Sequence, residues 1–337
     1  MANSKPQTNR VTAFFTAVVI YVAFAIYLYL PHLNHFSPYR PLLIPAAAVA
    51  AAGTYLLSTR WIVSPISSFF AGLLYAFGPF TLGFALYHPA ASLLVAVLPF
   101  MLLPAVFWPH KPFSFAPLVT AGLATLPFIT IIAFFTIAAQ YGFFPIPHNQ
   151  KLCLTPYVGL LTPLVLKPLH FPYVGFYHVA VAPLAFGLFL FFRIHRIGAI
   201  VFCIVGIALA CYAAIGETSP IVWAILPTLC FSIVAAIGLE GLAIASGADK
   251  ASLANCAVCL AAIAAVSTIA GFKSDFRMDI IFLRAAAWYV AAAFAVYVIL
   301  LFAAKGYRAR AVRWSMLSLL IAADIFLAAR TIIDKLF

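Results

Sequence analysis

No Asp, Glu, Lys or Arg occurs between Arg10 and Arg40, and none between Arg60 and Lys111. Stretches like these cannot cover a water-facing surface. Soluble domains carry about 25% charged residues. Here 8% of the 337 residues are charged and 66% are hydrophobic, and the mean hydropathy is +1.13. The natural solvent of such a chain is lipid. In a bilayer every backbone polar group must be satisfied within the protein, so a span is a helix or part of a closed barrel. Barrel strands are about ten residues of alternating pattern. The runs here are long, continuous and rich in Ala and Leu, which selects helix.

A spanning helix takes about 20 mostly apolar residues. Runs bounded by charges, prolines and turns place helices at 11–31, 41–59, 65–86, 90–108, 116–140, 173–193, 197–215, 219–246, 251–272, 279–304 and 312–335. The expected fold is therefore all-α, a polytopic transmembrane bundle of about eleven spans. It forms a single transmembrane domain over 1–337, with a first helix group at about 11–140 and a second at 173–337. The run at 11–31 is too long for the apolar part of a signal peptide and reads as an uncleaved first helix. The segment 141–172 is apolar yet carries Pro145, Pro147, Pro156, Pro163, Pro168 and Pro172. Prolines break a span while the apolarity favours lipid, so an outer interfacial or re-entrant segment is expected.

The formal net charge is +12. In a soluble chain that would suggest nucleic acid. Here the cations sit in short loops, where positive-inside topology and anionic headgroups account for them, and no nucleic-acid partner is expected. With the N-terminus inside, Lys5, Arg10, Arg60, Lys111, Arg193, Arg196, Lys250, Lys305, Arg308, Arg310 and Arg313 fall inside. Arg40, Lys151, Lys167, Lys273, Arg277, Arg330 and Lys335 fall outside. This bias predicts a multi-pass protein of the inner (cytoplasmic) membrane with a cytoplasmic N-terminus.

The seven acids can be taken singly. Asp249 and Asp334 each neighbour a Lys at a helix end and read as solvated. Glu217, in Gly216-Glu217-Thr218-Ser219-Pro220, reads either as a helix cap or as an outward-facing catalytic or ligand-binding acid. Asp324 falls near mid-membrane, where an unpartnered charge costs at least a few kcal/mol. Arg284 is its natural partner, in a structural ion pair or at a proton- or substrate-handling site. Glu240, near the end of its span, either snorkels to the interface or hydrogen-bonds to a neighbouring helix. The eight histidines offer no facing in-helix pair for haem or metal. Cys256-Ala-Val-Cys259 suits a small-residue packing face better than a metal site. No phosphate-cradling loop, dinucleotide fingerprint or nucleophile elbow occurs. No metal or cofactor is expected. Membrane lipids, including bound ones, and other membrane protein subunits are the expected partners.

The stretch from Thr54 to Trp108 contains Tyr-Leu-Leu-Ser-Thr-Arg-Trp, Ser-Ser-Phe-Phe-Ala-Gly-Leu-Leu-Tyr-Ala-Phe-Gly-Pro-Phe, Gly-Phe-Ala-Leu-Tyr-His and Leu-Pro-Phe-Met-Leu-Leu-Pro. It resembles the second to fourth helices of class C (GT-C) glycosyltransferases and their YfhO-like relatives. Gly216 to Leu242 is similar to late helices of the same group. The resemblance implies a GT-C-like bundle and transfer from a lipid-linked sugar, with a catalytic acid in the first outer loop. That loop, His32 to Arg40, contains no acid. Three readings follow. The first is a non-catalytic integral subunit with a degenerate GT-C-like bundle, scaffolding or docking in a larger membrane complex. The second is an outer-face transferase, with Glu217 or Asp275 as the base and Arg40 or Lys151 gripping phosphate. The third is a transporter or flippase with Asp324 and Arg284 at the coupling site.

Overall fold

The computed structural model describes residues 5–33, 40–87, 91–108, 116–140, 177, 179–193, 197–212, 215, 217–244, 291, 294 and 307–336. Within them the chain is helical and no strand forms; one isolated bridge joins Ile215 and Thr218. In order, the helices are α1 (Lys5–Tyr29), α2 (Leu43–Ser58), α3 (Pro65–Ala76), α4 (Pro79–Tyr87), α5 (Ala91–Phe107), α6 (Ala116–Ala124), α7 (Leu126–Gln140), α8 (Val181–Arg193), α9 (Ile197–Tyr212), α10 (Ile225–Ile244) and α11 (Tyr307–Leu336). A 3₁₀ turn, Pro220–Ala224, leads into α10.

Six helical stretches among the described residues are long and apolar enough to cross a membrane: Arg10–His32, Arg40–Ser58, Pro65–Phe84, Leu118–Gln140, Pro220–Ile244 and Arg310–Asp334. Each coincides with an expected span. The helices at 91–107, 181–193 and 198–211 also lie where spans were expected but are shorter. The expected span 251–272, the expected span 279–304 apart from residues 291 and 294, and the segment 141–172 lie outside the described residues, as do Asp275, Lys151, Arg284 and the Cys256/Cys259 pair.

Proline and glycine shape the helices more than the run lengths alone suggest. The expected helix 65–86 is broken at Gly78-Pro79 into α3 and α4. That at 116–140 is interrupted at Thr125, just before Pro127. Helix α5 runs through Pro99 and Pro104.

The bundle has a distinct inside and outside. The spans Pro65–Phe84 and Pro220–Ile244 are each 83% buried, against 22% for the span of α1 and 17% for that of α7. One continuous apolar core joins α1, α2, α3, α5, α8, α10 and α11. The tightest crossing is between α8 and α10. There Gly238 lies so near α8 that a Cβ on it would stand 1.7 Å from the Pro183 carbonyl oxygen and 2.6 Å from the Gly187 nitrogen. This is the small-residue packing that brings membrane helices together when lipid supplies no hydrophobic drive. Alongside, α9 rests on α10. Phe24 and Tyr27 of α1 stack on Phe326 of α11.

Candidate functional site

The polar groups inside the bundle gather where prolines interrupt helices. A proline has no N–H for the carbonyl four residues earlier, and in lipid that carbonyl must find another donor. Pro79 leaves the Tyr75 carbonyl without its helical donor, and the Thr81 hydroxyl donates to it at 2.6 Å. Pro99 does the same to the Val95 carbonyl, which receives the Tyr75 hydroxyl at 3.0 Å. Pro31 does the same to the Tyr27 carbonyl, which receives an Arg330 N–H at 3.2 Å. Tyr75 thus couples the α3–α4 break to the kinked α5 through its carbonyl and its hydroxyl. At the same break the buried Tyr177 hydroxyl donates to the Phe77 carbonyl.

Asp324 lies beside this cluster. Its carboxylate accepts the Val179 N–H at 2.6 Å, just before the first turn of α8, where Leu184 N–H bonds back to the Ala180 carbonyl. The expected partner, Arg284, lies outside the described residues. The Val179 N–H, at the positive end of the α8 dipole, holds the Asp324 side chain at this helix start. Glu240 does the same at the other end of the bundle. It accepts the Val63 N–H at 3.2 Å and the Ser64 N–H at 3.1 Å, at the start of α3, where Ser64 makes no side-chain cap of its own. Of the two readings of Glu240, the hydrogen bond to a neighbouring helix is therefore the one the structure shows. Each acid closes, from a distant helix, the N-terminus of a helix with a proline in its first turn.

A third cluster ties the end of α1 to the end of α11. Asp334 pairs with Arg330 at 2.9 Å and with His32 at 3.2 Å. Arg330 also lies over the Tyr27 ring, 5.5 Å from its centroid. Arg40, expected to grip phosphate, donates to the His32 carbonyl at 2.8 Å. Asp334 is exposed at the end of α11, as expected of a solvated acid at a helix end, and the spacing of one helical turn brings it to Arg330. Arg313, at the start of the expected span 312–335, is part of α11 and only 3% exposed. Glu217 is exposed in the turn before Pro220. Among the described residues no group of three or more His, Cys, Asp or Glu could hold a metal ion.

These features define a polytopic α-helical membrane protein in which Tyr75, Thr81, Tyr177, Asp324 and Glu240 hydrogen-bond to its own backbone. Comparison with known proteins finds no family model, no curated protein and no solved structure that matches the chain.

Proposed function

We propose that the protein is a non-catalytic integral subunit, a helical scaffold onto which other membrane proteins dock. The bundle would have about eleven spans, a degenerate GT-C-like arrangement and a cytoplasmic N-terminus in the inner membrane. The observation that carries the reading is the use made of the intramembrane acids. Asp324 and Glu240 both accept backbone N–H groups at helix starts, which makes them structural. The weakly buried spans of α1, α7 and α11 add a large apolar exterior, with Phe15 62%, Ile129 58% and Leu319 73% exposed.

Gentle extraction followed by blue-native electrophoresis and cross-linking mass spectrometry tests the proposal. Stoichiometric membrane partners cross-linked to α1, α7 or α11 are expected. A lone chain that transfers sugar from a lipid-linked donor, and loses that activity on Glu217→Gln or Asp275→Asn, would replace the reading with the transferase one.

A further inference from the structure

A cleft of about 270 Å³ opens between α1, α2 and the start of α3. Its lining includes Arg10, the apolar Phe14, Leu56 and Ile62, and the hydroxyl-bearing Tyr55 and Ser68. Three features give it chemistry. First, Arg10 is exposed at the start of the first candidate span, and among the described residues no carboxylate forms an ion pair with it. Glu240 of α10 is held by the Val63 and Ser64 N–H groups, and α10 itself contributes no lining residue. Second, the wall between is apolar, with the Phe14 and Tyr55 rings packed at 5.4 Å. Third, Ser68 is 1% exposed and its hydroxyl has no hydrogen-bond partner. A buried hydroxyl left alone costs about 1–3 kcal/mol, so it marks a place where a polar group of a ligand belongs.

We propose that this cleft binds one anionic phospholipid. The phosphate pairs with the Arg10 guanidinium, an acyl chain lies along Phe14, Leu56 and Ile62, and Ser68 donates to a glycerol-ester carbonyl. Ser68 sits about one helical turn, some 5 Å, inside the start of α3. Ligand pockets usually hold about 300–1,000 Å³, so the cleft seats the glycerol region and part of one chain while the rest stays in the bilayer. The site is independent of whether partner subunits dock elsewhere.

The test uses the full chain, delipidated in an uncharged maltoside detergent and titrated with phosphatidylglycerol, phosphatidylcholine or inorganic phosphate under native mass spectrometry. One tightly held phosphatidylglycerol is expected, with phosphatidylcholine weaker. Arg10→Gln, at an exposed position, should weaken phosphatidylglycerol about tenfold and leave phosphatidylcholine unchanged. Ser68→Ala should weaken both lipids by a smaller factor. Equal binding of the two lipids, unchanged phosphatidylglycerol affinity in Arg10→Gln, or displacement of the lipid by inorganic phosphate would each overturn the proposal.

Discussion

Tyr75→Phe deletes one oxygen from a fully buried ring and leaves the Val95 carbonyl without the donor that stands 3.0 Å away. The missing helical donor at that carbonyl is the N–H that Pro99 lacks. An orphaned buried acceptor costs about 1–3 kcal/mol, while measured side-chain hydrogen bonds in membrane bundles average about 0.6 and reach about 1.7 kcal/mol. Their overlap gives about 1–2 kcal/mol for Tyr75→Phe. In a Pro99→Ala background the backbone N–H at 99 returns to Val95, so the same change should cost under about 0.5 kcal/mol. The coupling in this double-mutant cycle is then about 1 kcal/mol. Reversible unfolding of the purified chain in mixed micelles measures all four corners, with far-UV circular dichroism checking that the helices persist. Equal costs of Tyr75→Phe in the two backgrounds would refute the claim that the tyrosine stands in for the proline's missing donor.

Two further perturbations probe the same bundle. Gly238→Leu places atoms where a Cβ alone would stand 1.7 Å from the Pro183 oxygen, so α8 and α10 must separate. A loss of roughly 3 kcal/mol or failure to fold is expected, read as folded yield by fluorescence size-exclusion. Gly122→Ala, with nothing within 4 Å of the new methyl, should match or slightly exceed wild type, gaining up to about 1 kcal/mol. Asp324→Ala strips the acceptor from the Val179 N–H and should cost about 2 kcal/mol, whereas Asp324→Asn keeps an oxygen there and should cost about half as much. Micelle unfolding of the two variants compares them, and equal losses would show that charge rather than acceptance matters at this position.

The helices were legible because their signal is local. The bounds at 43–58 and 91–107 fall within two residues of those read from charge-free runs. The break inside 65–86 was also legible, since Gly78-Pro79 is a turn signal; the uniform apolarity of the run hid it. The partners of the acids were not legible. Val179 and Asp324 are 145 positions apart, and Val63 and Glu240 are 177. In each pair the donor is a backbone N–H, which every residue but proline carries, so no residue type marks it. The sequence held one clue: Val-Ala-Pro at 181–183 follows Ala180 and so announces a helix start with no side-chain cap, whereas Ser64 before Pro65 is a cap residue by type and only the structure shows that its hydroxyl makes no cap bond. An acid stranded in a span has its cheapest solution at such a start, where amides are orphaned and the dipole is positive.

That solution bears on function. Transporters also break spanning helices, but they leave the freed backbone groups facing a cavity where ions and substrates bind. At the Gly78 break the Tyr75 and Phe77 carbonyls are instead taken by Thr81 and Tyr177 of the same chain, and Asp324 is held on Val179. Releasing these groups to a substrate means breaking several buried hydrogen bonds together, each worth about 1 kcal/mol net and more for the charged one. A ligand would have to match every one of them before it gained affinity. A rigid support meets no such demand, and the same bonds that would tax a transport cycle hold a scaffold in one shape. The break at Gly78 therefore acts as a bend that sets α4 and α5 at a fixed angle to α3, with its freed carbonyls closed by the chain itself.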